Sequence, residues 1–281
     1  MILRALRRAA LLVGLLGLLF VLACAGREGV CLQGYAWEAG AGYVPGPGSC
    51  DEAPGILAAA GFFAVGTLGL LSGRSGRTRE DAGRTLWGLL RLRGGRSLVI
   101  LGVAVLGGAL LWRLGWMPSG LPLPIAGFAL FALVLRTVPP GSALDYDRAG
   151  LLWGGLALAL SDGVMRLLVD GVRAAQGRER GAPWAETLEL GGVDPEPVVR
   201  EVAAREAATQ LRGAFVALLG GLVVVEGVFA VNGLGETLKD LVVDRSGLDP
   251  LLLLGVLHAF GAALLAVDLL PVERLALRWS A

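Results

Sequence analysis

Apolar runs of close to bilayer length, set apart by stretches dense in arginine or in acid, constrain this chain more than any other feature. Residues 9–25, 56–71, 97–112, 121–138, 150–169, 213–231 and 251–270 are each almost wholly apolar. A helix of roughly 20 such residues crosses the ~30 Å hydrocarbon layer. Lipid offers no partner to a backbone amide or carbonyl, so such runs are read as helices that satisfy their own hydrogen bonds. The chain as a whole is 55% hydrophobic and 17% charged, with a mean hydropathy of +0.68. That balance places it among polytopic membrane proteins. The 44 glycines suit close helix packing in lipid, where small residues let backbones approach.

The same composition narrows the chemistry. The only lysine, Lys239, follows no glycine-rich phosphate loop, so the chain by itself is not expected to hydrolyse ATP. One histidine, His258, rules out paired-histidine metal motifs and leaves little for a serine–histidine dyad. No metal or cofactor of its own is expected, and no enzymatic activity. A cluster of arginines is the sole hint of nucleic-acid binding, and membrane topology explains it better.

Orientation is read from arginine placement rather than from the net charge of +1. Arg4, Arg7 and Arg8 precede the first run and put the N-terminus inside. The sequence Val21-Leu22-Ala23-Cys24 loosely resembles a lipoprotein cleavage box, but Leu22 fits it poorly, and the segment is read as a retained helix. Residues 26–53 then form an external loop in which Cys31 and Cys50 are a candidate disulfide, two free thiols being the alternative. Closing that loop would contribute roughly 3 kcal/mol. After a returning helix at 56–71, residues 73–96 carry Arg74, Arg77, Arg79, Arg84, Arg91, Arg93 and Arg96, the strongest signal for the inner side. Within that segment residues 86–92 read either as a short surface helix or as a solvated linker.

The third crossing is expected at 97–112, ended by Met117-Pro118-Ser119-Gly120. If the basic segment and the later charged segment, 170–212, are both inside, an even number of crossings separates them. Residues 150–169 read as a crossing. Residues 121–138, broken by Pro122 and Pro124 and closed by Pro139-Pro140, are therefore expected to be a re-entrant or interfacial helix within an outer segment 121–148. The fifth and sixth crossings are 213–231 and 251–270, with the C-terminus inside. Asp162, Glu226 and His258 lie within these runs, where ionisable groups are costly and mark either a conduit or a packed interior. A lone membrane histidine is more often a hydrogen-bonded packing residue, and Asp162 with Arg166 could pair at i, i+4.

Between Trp184 and Gly235 the residues have a particular order: Glu186-Thr187-Leu188, then Gly192, then Asp194-Pro195, then the run containing VVVEGVF, then Asn232-Gly233-Leu234-Gly235. Asp194 reads as a helix cap with Pro195 in the first turn, and Gly192 as the turn before it. This order resembles the permease subunits of ABC importers for dipeptides, oligopeptides and nickel. Glu186-Thr187-Leu188 and Gly192 look like their cytoplasmic EAA signature, and Gly233-Leu234-Gly235 like the turn outside their fifth helix. LLAVDLL at 264–270 is similar to the last helix of that family.

The resemblance implies an all-α bundle of about six crossings in a bacterial inner membrane. It implies a second permease subunit, two ATPase subunits that bind ATP and magnesium and dock on the 170–212 loop, and an external solute-binding protein. This chain departs from the family at Thr187 and Leu188, in the acidity of the loop, and in a C-terminus that reads LALRWSA. The alternative is a membrane scaffold or sensor subunit that keeps the fold without transport.

Overall fold

A computed structural model describes residues 2–26, 30, 32, 35–38, 41–46, 53–74, 76–78, 85–114, 129–133, 136, 143–160, 174–243 and 248–269. Cys31, Cys50, Asp162 and most of 121–138 lie outside the described residues. The elements are α1 (Ile2–Cys24), β1 (Tyr35–Glu38), β2 (Gly42–Pro45), α2 (Ile56–Leu71), α3 (Leu86–Arg113), α4 (Ala143–Leu160), α5 (Pro183–Leu190), α6 (Glu196–Phe229), α7 (Leu234–Val243) and α8 (Pro250–Leu269). The chain is mostly helical, as expected, with one two-stranded hairpin added. Four described helices are long and apolar enough to cross a membrane: Leu6–Cys24, Leu86–Leu111, Arg212–Phe229 and Pro250–Val267. At 16 residues, α2 is about 24 Å long, short of a full crossing.

The contacts divide the chain into two compact units, Met1–Leu98 with Ala230–Leu265, and Val99–Phe229 with Ala266–Ala281. In the first unit α8 is apolar all round, which is the pattern of a helix buried on every side, and Leu251, Leu252, Leu253, Leu254 and Val256 are all at most 2% exposed. Leu86 and Leu16 fit against Gly255 and Gly261, where a Cβ would come within 2.7 and 2.6 Å of them. Small residues on α8 thus admit large ones from α3 and α1. The contact between α1 and α2 is aromatic: Phe20 stacks on Phe62 at 6.0 Å and meets Phe63 at 5.6 Å.

The hairpin lies along α2. Its strands pair antiparallel, with Trp37 opposite Tyr43. Tyr43 stacks on Phe62 at 4.1 Å, Tyr35 meets the same ring edge-on at 5.9 Å, and Trp37 covers Gly69 near the end of α2. Burial against these rings pushes the Tyr43 hydroxyl above its ordinary value. Beyond α2 the chain bonds back to the hairpin, Gly76 N donating to Ala41 O at 2.9 Å and Arg77 N to Tyr43 O at 2.8 Å. Gly76 sits at φ +64, and a Cβ there would collide with the Tyr43 carbonyl oxygen. Only glycine combines that backbone with that approach.

One helix begins earlier than the sequence suggested. Residues 86–96 were read within a basic loop, with 86–92 either a short surface helix or a solvated linker; they form the first turns of the 28-residue α3. Leu86 and Leu89 are buried at 0% and 2% exposure, and this apolar stripe carries the helix through its arginines.

In the second unit α4 packs on α6. A Cβ on Gly154 would lie 2.9 Å from Val225, and one on Gly155 would lie 2.5 Å from Val103 of α3. At 34 residues α6 joins the charged segment to the fifth apolar run without a break. It ends where Ala230 turns into the left-handed region at φ 50.

Candidate functional site

The charged segment folds into a short helical hairpin. Pro183 opens α5, where its missing N–H costs nothing. At the other end Gly192 N donates to Glu189 O and Val193 N to Leu188 O, both at 2.9 Å, with Gly192 at φ +73. These two bonds about a left-handed glycine are a Schellman cap, so Gly192 is the residue that stops α5 and turns the chain. Among the described residues nothing lies within 4 Å of where its Cβ would be. Asp194 Oδ1 then accepts the Glu196 N–H at 3.0 Å, satisfying a free donor at the start of α6. Helix, glycine turn, aspartate and proline stand in the order in which the sequence was read.

Ion pairs close the hairpin. Arg180 forks onto Glu196, Nε to Oε2 at 3.1 Å and Nη2 to Oε1 at 2.7 Å, and Arg200 adds a third bond at 3.2 Å. The Arg180 guanidinium holds the Glu196 carboxyl below the usual range, and Glu196 in turn raises Arg180. Arg178 pairs with Glu206, and Arg205 with Glu201 at 2.6 Å. Trp184 Nε1 donates to Glu179 at 3.2 Å. Beneath these, Ala175, Ala185, Val199, Ala203 and Ala204 are buried. Glu186 and Thr187 are exposed, Thr187 Oγ1 donates to Pro183 O at 2.8 Å, and Leu188 is half-buried. At the tip Leu190 and Val193 are 85% and 53% exposed. Chemically, this is a hairpin whose Arg178, Arg180, Arg200 and Arg205 are bonded within it and whose turn presents two exposed aliphatic side chains beside Glu186 and Glu189.

Of the residues expected along a path, Glu226 is fully buried in α6 of the second unit. His258 belongs to α8 in the first. Its Nδ1 pairs with Leu254 O at 2.8 Å and its ring meets Phe63 at 5.5 Å, which matches a packed histidine. Among the described residues its buried Nε2 has no hydrogen-bond partner.

The Gly233-Leu234-Gly235 turn opens α7 and is fastened to α3. Leu234 N donates to Ser97 Oγ at 2.9 Å, Arg93 Nη1 to Thr237 Oγ1 at 2.8 Å, and Arg96 Nη1 to Asn232 O at 3.4 Å. Thr237 Oγ1 in turn donates to Gly233 O at 2.6 Å. The sequence reading set the basic segment inside and this turn outside; groups in hydrogen-bond contact share one side, so the two assignments do not stand together.

A second fastening was missed in the sequence. Tyr35 OH lies 2.8 and 2.9 Å from the two oxygens of Asp249, donating to this carboxylate, whose Oδ1 also accepts from Leu251 N and Leu252 N at 3.0 and 3.1 Å. Asp249-Pro250 repeats the helix-start signal of Asp194-Pro195 and could have been found by it; no pattern in the sequence points to the bond with Tyr35, 214 residues away. Comparison with protein-family models and with curated proteins gives no match for this chain.

Proposed function

We propose that this chain is the membrane-spanning permease subunit of an ATP-driven importer for a small solute such as a peptide or nickel, with the α5–α6 hairpin as the element that engages the ATPase. The observation that carries the reading is the construction of that hairpin. A Schellman turn at Gly192 and the Arg180–Glu196 fork hold a short helix rigidly beside a 34-residue helix, which continues into an apolar run long enough to cross a membrane. Force applied at the tip is delivered along one unbroken rod. An ATPase that grips the tip differently in its open and closed states would shift the membrane bundle between two conformations by that difference in contact energy. A second permease subunit and an external solute-binding protein complete the assembly in this reading, and Glu226 is the candidate for a polar group along the path.

The test is affinity recovery from native membranes in mild detergent, comparing the native chain with Glu186→Arg and Gly192→Leu. Recovery of an ATPase with the native chain, and its loss with both variants at unchanged membrane abundance, supports the reading. An intact complex that holds no ATPase overturns it in favour of a scaffold or sensor subunit.

A further inference from the structure

The bonds within the first unit decide which parts of the chain share a side of the membrane. Residues 76 and 77 bond to the β1–β2 hairpin, and Tyr35 of the same hairpin bonds to Asp249 at the start of α8. Arg93, Arg96 and Ser97 near the start of α3 bond to Thr237, Asn232 and Leu234. Gly26, just past α1, donates to Pro54 just before α2 at 3.0 Å. The bonds of residues 76 and 77 to the hairpin, and those of Arg93, Arg96 and Ser97 to 232–237, join stretches that a six-crossing topology with an internal 73–96 loop assigns to opposite sides, whereas Tyr35–Asp249 and Gly26–Pro54 join stretches that it already places together. They agree when α2 does not cross, and its length of about 24 Å is short for crossing.

We infer that the described residues of 25–85 and 230–249 form one cap on the outer face of the membrane, joined to the first turns of α3, and that Arg74, Arg77, Arg91, Arg93 and Arg96 belong to that outer cap and not to the cytoplasmic side. The chain enters the cap through α1 and leaves it through α3, then returns through α6 and leaves through α8. Of these, α1, α6 and α8 have the length and apolarity for that passage, and α3 has them when counted from Leu86. It follows that residues 174–211 stand on the side opposite the cap, together with the N-terminus. It also reverses the parity at 121–138 and 150–169: an odd number of crossings now separates the cap from the charged hairpin, so these two runs either both cross or both stay on one side. The density of arginines at 74–96 weighs against this orientation, and the bonds above decide it. Fewer than half of the 25 basic residues fall in the cap stretches and the first turns of α3, and Arg4, Arg7, Arg8, Arg178 and Arg180 are among those left on the inner side. The inference rests on the membrane assignment and not on the transport reading.

Cysteine accessibility in whole cells tests it with the full-length chain. Thr85→Cys, Asp240→Cys and Gly177→Cys place thiols at exposed positions, one in each cap stretch and one before the hairpin, and the native chain supplies the background from its own cysteines. A membrane-impermeant maleimide is expected to label T85C and D240C in intact cells, and G177C only after permeabilisation. Any other distribution overturns the cap, including T85C and D240C on opposite sides or all three on one side. Labelling of all three in detergent-denatured samples verifies that each thiol is reactive.

Discussion

The cap and the charged hairpin are both fastened by polar side chains, but in opposite ways. In the cap the fastenings are long-range and shielded: Tyr35 to Asp249 across 214 residues and Arg93 to Thr237 across 144. In the hairpin they are short-range and wet: Arg180 to Glu196 across 16 residues, and Arg200 and Arg205 each to a glutamate one turn away. A buried hydrogen bond is costly to break because the group left behind has lost its water. An exposed ion pair loses little, since water and salt take over from the partner. The cap is therefore held by bonds that are each costly to break, and the hairpin by a set of individually weaker ones gathered around its glycine turn.

That contrast breaks first at Asp249. Asp249→Ala removes the α8 cap and leaves the Tyr35 hydroxyl buried without its acceptor, and is expected to destabilise the protein by about 3 kcal/mol. Thermal unfolding in detergent measures it, and Tyr35→Phe, which keeps the cap, should cost clearly less. Equal losses in the two would show that the helix cap contributes nothing. Gly76→Ala comes next, at about 2 kcal/mol, because a Cβ at φ +64 meets the Tyr43 carbonyl oxygen as well as the backbone penalty. Gly192→Ala carries the backbone penalty alone, with open space around it, and is expected to cost about 1 kcal/mol. Its loss should appear as faster amide exchange in α5 while the amides of α8 are unchanged.

The smallest effects are in pH, and their signs differ between the two regions. Burial raises the Glu236 carboxyl, with Lys239, Arg93 and Arg96 opposing and Asp240 adding to it. Its stabilising contribution is complete below the ordinary glutamate value of about 4.3 and is lost as pH rises through the raised value. Glu236→Gln should therefore flatten that loss. Glu196 is lowered, chiefly by Arg180, so its contribution is complete above about 4.3 and is lost as pH falls through the lowered value. Amide exchange in α5 should speed up in acid in the native chain and not in Glu196→Gln, and the native difference should shrink at high salt. An α5 that exchanges identically in the two at every pH would mean that the Arg180 fork holds nothing.

What could be read in advance divides along the same line. The hairpin was legible because its signals are local. Gly192 ends one helix, Asp194-Pro195 begins the next, and both work within a few residues of backbone. The positions of α6 and α8 were legible for a related reason: an apolar run of that length has few ways to exist in water. The start of α3 was left open between helix and linker because the arginines at 91, 93 and 96 stood against Leu86 and Leu89, while burial of those leucines decided the helix.

The sequence by itself determined that this is a mostly helical chain with helices suited to a membrane, and where a rigid turn interrupts its charged segment, because hydrophobic length and helix punctuation act through the backbone alone. The pairing of Tyr35 with Asp249, of Ser97 with Leu234 and of Arg77 with Tyr43 was decided only by the tertiary structure. Each depends on two stretches distant in the chain being brought together, and the energy of such a bond exists only once both partners meet.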